Sequence, residues 1–217
     1  KHRKITFSKT QLSIPKTVTQ HILKMKKAEI ILGITATIAI ISKFLNIPKS
    51  NMAILISILL LSLIYVIFSF ALLNEIRFRE IFKKESYQNV SGKKIIGAIA
   101  IGVGFSIVLL GILFKLLIWT GGQYMLQTGI TFLGVITFVF VIYYLIKKTA
   151  NLRKTFIRIG IIGGIALITY FTPTDTLIDY YYQDNPEYAE LFKKSNADPN
   201  NEELNRQLQE KRKEIND

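Results

Sequence analysis

Five apolar runs separated by short basic connectors constrain this chain more than any other feature of its sequence. The longer runs reach the length of about 20 residues that a helix needs to cross a bilayer. The predicted spans are Ile30–Ile47, Met52–Leu73, Ile95–Trp119, Tyr124–Ile146 and Ile157–Phe171, of which the last is the shortest. We therefore predict an all-α integral membrane protein with about five transmembrane helices.

The composition supports a membrane location and argues against a soluble basic protein. Half of the residues are hydrophobic, yet 28 Lys and Arg give the chain a net charge of +13. Both properties fit one protein if the charges lie outside the apolar runs, and none of the first four runs carries a charge in its central part. A nucleic-acid-binding protein would instead cluster its bases with polar and aromatic residues. We expect no nucleic acid partner.

The residue types that carry chemistry are scarce. The chain has no cysteine, which excludes disulfides, thiolate metal sites and cysteine nucleophiles. Its two histidines, His2 and His21, lie in the basic N-terminal arm without an acidic or imidazole partner at metal-ligand spacing. No Asp or Glu is expected inside the membrane, and no nucleophile–base pair is recognisable. We predict no catalytic site, no metal and no cofactor, so that the protein is not an enzyme.

The basic residues predict the topology. The arm 1–29 has eight Lys and Arg, the connector 74–94 has six and the connector 147–158 has five, whereas the two hairpin turns on the opposite side contribute only Lys43, Lys49 and Lys115. Because cytoplasmic loops are enriched in Lys and Arg, the N-terminus is predicted inside and the C-terminus outside. In a bacterial inner membrane the C-terminus is then periplasmic.

The predicted organisation has six parts. They are the basic cytoplasmic arm 1–29, the first transmembrane hairpin 30–73, the basic connector 74–94, the second hairpin 95–146, the connector and fifth helix 147–172, and the acidic helical tail 173–217. The arm is either an amphipathic helix that lies on anionic lipids at the cytoplasmic face or a disordered basic segment.

The tail holds eleven of the 15 acidic residues, and Asp198-Pro199 is predicted to begin a helix that extends to Ile215. Its apolar stripe is too thin to fold as a domain on its own, so we expect it to dock on another membrane protein or a second copy.

The two hairpins resemble a duplication, because similar lysine-containing turns recur 72 positions apart. The candidate functional residues of these turns are Lys43, Pro48, Lys115, Trp119, Gly121 and Gly122. A lysine in apolar surroundings is costly, which leaves two interpretations. Lys43 and Lys115 either face an internal cavity, as part of an ion path or an anion site, or extend to the lipid headgroups.

Small residues at helical spacing predict close helix contacts. Ala98, Gly102 and Ser106 recur every four residues in the third predicted helix, and Gly160 and Gly164 form a GxxxG pair in the fifth. Such faces are common in multi-pass proteins, so they predict packing and no activity.

The stretch Gly111-Ile-Leu-Phe-Lys-Leu-Leu-Ile-Trp-Thr-Gly-Gly122, followed by Met125-Leu126, resembles the first-helix signature of the GldL family and its PorL relatives. That signature is close to L-F-K-x-x-H-W-P-G-A. The family's lysine corresponds to Lys115 and Lys43, its tryptophan to Trp119, and its histidine to Ile118 and Asn46. The resemblance implies an inner-membrane protein of Bacteroidota connected with gliding motility and type 9 secretion.

The resemblance does not extend to the motor activity of that family. Its second helix carries a membrane-embedded glutamate, and neither Met52–Leu73 nor Tyr124–Ile146 contains an acid. We predict a non-enzymatic accessory or structural subunit of a larger membrane complex, with other membrane proteins or a second copy as partners. The alternative is a small ion-conducting or transport protein that uses Lys43 and Lys115.

Overall fold

The chain folds into helices that alternate in direction, followed by three short helices. The computed structural model describes residues 16–74, 76, 81–88, 90–147 and 153–216, and these contain no strand. The helices are α1 (Lys16–Phe44), α2 (Ser50–Leu73), α3 (Gly92–Leu116), α4 (Gly122–Lys147), α5 (Arg153–Phe171), α6 (Thr174–Tyr181), α7 (Pro186–Ala197) and α8 (Glu202–Asn216), with a 3₁₀ turn at Lys84–Tyr87.

The prediction of an all-α membrane protein is confirmed. Four helices are long and apolar enough to cross a membrane: Ser50–Leu73, Gly92–Leu116, Gly122–Ile146 and Arg153–Phe171. The first predicted span overlaps α1, which begins already at Lys16, ends at Phe44 and packs along α2. The described side chains of α1 include the charges Lys27, Glu29 and Lys43, so this helix is more polar than the other four long helices. The amphipathic face predicted for the arm lies outside the described side chains.

Helix α3 is the centre of the bundle. It packs against α2, α4 and α5, and 56% of its apolar segment is buried, compared with 11% for α4. Its fully buried side chains Phe105, Val108 and Leu113 form the core together with Ile54 and Ile58 of α2. Because α4 contacts the bundle along one face only, most of its apolar side chains point outward.

Small residues allow α2, α3 and α4 to approach one another closely. A Cβ atom added at Gly102 would lie 2.1 Å from the Cβ of Ser69, and one added at Gly111 would lie 2.5 Å from the Cα of Leu126. The Oγ atoms of Ser62 and Ser106 are 2.6 Å apart, which joins α2 to α3 by a buried hydrogen bond. The stripe that contains Gly102 and Ser106 therefore faces α2 within this chain.

The two hairpin turns share most of their backbone hydrogen bonds at equivalent positions. Ile47 N–H donates to the Ser42 carbonyl and Asn46 N–H to that of Lys43, and the same pair recurs 72 positions later from Trp119 to Phe114 and from Ile118 to Lys115. This is the Schellman arrangement, in which a residue with positive φ ends a helix. The shared geometry supports an origin of the two hairpins by duplication.

Each turn places two residues at positive φ, one suited to that conformation and one not. The first turn has Asn46 at φ 52° and Lys49 at 65°, and the second has Ile118 at 54° and Gly121 at 80°. Glycine, and to a lesser extent asparagine, tolerate this region, whereas a β-branched residue such as Ile is strained there. The buried Ile118 side chain contacts the tail, which accounts for an isoleucine at so unfavourable a position.

The tail packs on the ends of both hairpins, and its docking on another protein or a second copy stays a prediction. Leu177, Ile178 and Ala189 are buried against Ile118, and Phe44 packs against the same cluster. The turns thus supply the apolar surface that the tail lacks.

Helix α8 begins later in the chain than the sequence suggests. Asn201 rather than Asp198 caps it, since its Oδ1 accepts from Leu204 N–H at 3.1 Å. The helix packs on α7, where Ser195 Oγ donates to Asn205 Oδ1 at 2.6 Å and Lys211 forms an ion pair with Glu187 at 2.9 Å.

The backbone strain in the turns predicts opposite effects of two substitutions. Lys49→Gly should raise the stability by up to about 1 kcal/mol, because glycine adopts positive φ without a steric penalty. Gly121→Ala should lower it by about 1 kcal/mol through backbone strain alone, since no atom lies within 4 Å of the added Cβ. Thermal unfolding in detergent measures both. A Lys49→Gly variant that is less stable than the parent would refute the strained turn.

Candidate functional site: two polar clusters at the ends of the fifth helix

Among the described residues, the two buried charged side chains, Glu29 and Lys115, lie at the two ends of α5. We call the end of the bundle that holds both hairpin turns the turn side, and the opposite end, where the chain passes from α2 to α3 and from α4 to α5, the connector side. The connector-side cluster consists of Glu29, Tyr65 and Arg158. The turn-side cluster consists of Lys115, Gln123 and the backbone carbonyl of Tyr170.

The connector-side cluster is a buried ion pair with a third partner. Arg158 donates from Nε to Glu29 Oε1 at 2.5 Å and from Nη2 to Oε2 at 2.7 Å, which is the two-point geometry that matches guanidinium to carboxylate. The Tyr65 hydroxyl donates to the same Oε1 at 2.6 Å. Glu29 is only 9% exposed. Three contacts therefore hold one carboxylate between α1, α2 and α5.

The cluster lies well inside the apolar part of the bundle. About 22 Å of helical rise separates Glu29 from the end of α1 at Phe44, and about 20 Å separates Arg158 from the end of α5 at Phe171. A hydrocarbon core is about 30 Å thick. The pair is thus buried towards the connector side of the bundle, where an unpaired charge would be costly.

The burial of Glu29 in the bundle differs from the sequence-based assignment of this residue to the arm. Glu29 precedes the first apolar run by one residue, so a boundary at Ile30 assigns it to a solvated arm. Because α1 continues through this boundary, Glu29 faces the bundle instead. One feature of the sequence does point to the pairing of Glu29 with Arg158. The two residues lie at similar distances from the turn-side ends of their helices.

The turn-side cluster holds Lys115 inside the protein. Lys115 is 2% exposed, and its Nζ donates to Gln123 Oε1 at 2.5 Å and to the Tyr170 carbonyl at 2.8 Å. Both acceptors lie near helix ends, one at the start of α4 and one near the end of α5. The expectation that this lysine extends to the headgroups is therefore wrong, because its ammonium group joins α3, α4 and α5.

Lys43 occupies the equivalent position but has a different partner. Its Nζ lies 4.0 Å from the centre of the Tyr181 ring, a cation–π contact with the tail. Beside it the Tyr180 hydroxyl donates to the Phe44 carbonyl at 2.6 Å. Burial raises the pKa of Tyr181 to about 12, so the ring stays neutral in the physiological range. The two lysines therefore secure different segments, the tail and α5.

The other predicted turn residues are divided between the surface and a small cavity. Pro48 is exposed. Trp119, Gly121 and Gly122 line a cavity of about 360 Å³ together with Lys115 and the end of α7. The Trp119 ring stacks edge-on against Phe114 at 4.9 Å. Lys43 does not line this cavity, so the structure does not bring the two lysines into one path.

The predicted packing residues fall into two groups. Ala98, Gly102 and Ser106 are buried in the bundle. Gly160 and Gly164 are not covered by this chain, since no atom lies within 4 Å of a Cβ built at either position. Among the described residues, no group of three or more His, Asp or Glu side chains could hold a metal ion.

One of the comparisons with known proteins gives a match, to a protein family. Residues 100–155 match the family described as the GldL N-terminal domain, which covers most of α3, the second turn and α4. The match includes Lys115 and amounts to about a quarter of the chain. This segment is therefore similar to the GldL N-terminal domain, and the four long apolar helices indicate a multi-pass membrane protein. Neither the curated proteins nor the solved structures that were compared give a match.

The different partners of the two lysines predict unequal effects of the same substitution. Lys115→Met should lower the stability by about 1–3 kcal/mol, because it leaves the half-buried Gln123 amide oxygen and Tyr170 carbonyl without this donor. Lys43→Met should cost less than about 1 kcal/mol, since it removes only a partly exposed cation–π contact. Thermal unfolding of both variants in the same detergent is the measurement. Equal losses would show that Lys115 does not hold α5.

Proposed function

We propose that this GldL-related chain is a non-enzymatic structural subunit of a larger inner-membrane assembly, connected with gliding or type 9 secretion. The observation that carries the proposal is the match of residues 100–155 to the GldL N-terminal domain. The internal contacts support a structural role, because the buried charged groups in the described part of the bundle bind other groups of the chain. Nothing in their arrangement favours ion conduction over such a role.

The proposed orientation places the connector side in the cytoplasm and the tail outside it. Two connectors with six and five basic residues lie at one end, and the acidic tail lies at the other. The enrichment of basic residues in cytoplasmic loops supports this direction. The basic face would then meet the anionic lipids of the inner leaflet.

The proposed contact with partners is the outward face of α5. Gly160 and Gly164 lie on successive turns of the helix, and both have open space where a side chain would be. The exposed side chains Ile168 and Phe171 continue towards the turn side. A helix of another membrane protein or of a second copy could approach α5 closely here.

Replacing both glycines by leucine should weaken this association by about 1–2 kcal/mol, as judged from the modest energies of membrane helix contacts. The measurement is cross-linking in native membranes, followed by purification and quantification of the co-purified proteins. Gly163→Leu is the control, because Gly163 is equally open but lies on a different face of the same helix. Recovery of the same partners with both variants, or of the parent as a single copy without partners, would contradict the proposal.

A further inference from the structure

The cavity of about 360 Å³ at the turn side lies between the second hairpin turn and the tail. The turn and the first residues of α4 form one wall, and Thr174 together with the end of α7 forms the other. Among the described residues that line the cavity, Lys115 is the one charged side chain, and none is acidic. The lining therefore carries a net positive charge.

The charge of Lys115 has no counter-charge in the described part of the chain. Its Nζ donates to the Gln123 amide oxygen at 2.5 Å and to the Tyr170 carbonyl at 2.8 Å, and the Tyr170 ring centre lies 5.8 Å away. All three partners are uncharged, whereas Arg158 faces the carboxylate of Glu29. Because Lys115 is buried, its unbalanced charge is costly, and an anion in the cavity would offset that cost.

Several hydrogen-bond donors of the lining have no acceptor among the described residues. An ammonium group has three N–H donors, and Lys115 uses two of them. Because Lys115 occupies the oxygen of the Gln123 amide, both N–H donors of that amide remain unused. The backbone N–H groups of Gln123 and Tyr124, in the first turn of α4, likewise have no carbonyl partner. This surplus of donors beside a buried cation fits an oxyanion, which only accepts hydrogen bonds.

Charge and size narrow the class of anion. One ammonium group balances one negative charge, so a carboxylate fits better than a doubly charged phosphate. The cavity is at the lower end of the range of ligand pockets, about 300–1,000 Å³, and therefore suits a small molecule. Ile118, Trp119 and Pro199 also line it and offer apolar surface to an aliphatic chain.

We propose that this cavity binds a small, singly charged aliphatic carboxylate. The carboxylate accepts from the Lys115 ammonium group and the Gln123 amide nitrogen, and the aliphatic chain lies between Trp119 and Pro199. Since the lining comes from the second turn and from the tail, the ligand joins these two segments. The site does not depend on the proposed subunit role.

The single tryptophan of the chain allows a direct test, because Trp119 lines the cavity and its fluorescence reports on the occupant. The full chain in mild detergent is titrated with sodium pentanoate. Pentanamide, which has the same shape without the charge, and sodium chloride at the same ionic strength are the controls. Pentanoate should change the fluorescence in a saturable way, and neither control should do so.

Gln123→Glu tests the missing counter-charge while keeping an acceptor for Lys115. The new carboxylate balances the ammonium group within the chain and should lower the affinity for pentanoate at least about tenfold. Gln183→Glu is the matched control and should bind pentanoate like the parent, because Gln183 is exposed in the tail and does not line the cavity. Unfolding temperatures without ligand verify that both variants are folded.

Four results would overturn the proposal. They are no saturable response of the parent to pentanoate, an equal response to pentanamide or chloride, tighter binding of phosphate than of pentanoate, and unchanged pentanoate affinity of Gln123→Glu. The comparison of pentanoate with pentanamide uses the parent protein alone, so it decides the outcome even if a variant does not fold.

Discussion

The charge pair between Glu29 and Arg158 is the interaction on which the arrangement of the long helices depends. A carboxylate and a guanidinium group removed from water lose several kcal/mol of hydration each, and their mutual attraction offsets that loss only in good geometry. The two hydrogen bonds between them and the third from Tyr65 provide such geometry. Since the charges lie on α1 and α5, neither helix can move away without leaving the other charge unpaired.

The turn-side cluster fixes the other end of α5 by different means. There Lys115 donates to the backbone carbonyl of Tyr170, so the contact depends on the position of α5 rather than on one of its side chains. One end of α5 is thus joined to the first hairpin and the other end to the second. The fifth helix closes an otherwise open pair of hairpins, with α3 in the centre of the resulting bundle.

The two hairpins have similar turns, but the turns contact different segments. The reason is that the second hairpin is followed by one α5 and one tail, which are not repeated. One α5 and one tail must pack against two equivalent turns. Lys115 contacts α5, whereas Lys43 contacts the Tyr181 ring of the tail. Similarly, Ile118 contributes its buried side chain to the tail at the position where the first turn has the better suited Asn46. Duplication can copy a turn, but only the tertiary structure decides which copy meets which segment.

Hydropathy and spacing predict the elements of this fold well and its contacts poorly. The predicted span Met52–Leu73 differs from α2 by two residues at its start, because the apolar run and the helix coincide. The first apolar run begins later than α1, because the helical backbone also includes the charged residues that precede the run. The sequence singles out the two lysine turns, but it does not indicate that Gln123 is the partner of Lys115. The contact between Glu29 and Arg158 joins residues that are 129 positions apart. Pairs of this kind depend on helix rotation and depth, which a single sequence does not specify.

Exchange of the two charges tests the central contact most directly. Glu29→Arg and Arg158→Glu, each alone, place two like charges in the bundle and should lower the free energy of unfolding by about 3–5 kcal/mol or prevent folding. The double exchange restores an ion pair in the same place and should recover a large part of the loss. Thermal unfolding of the three variants in one detergent decides the outcome. A double variant no more stable than the weaker single variant would contradict the pairing of α1 with α5.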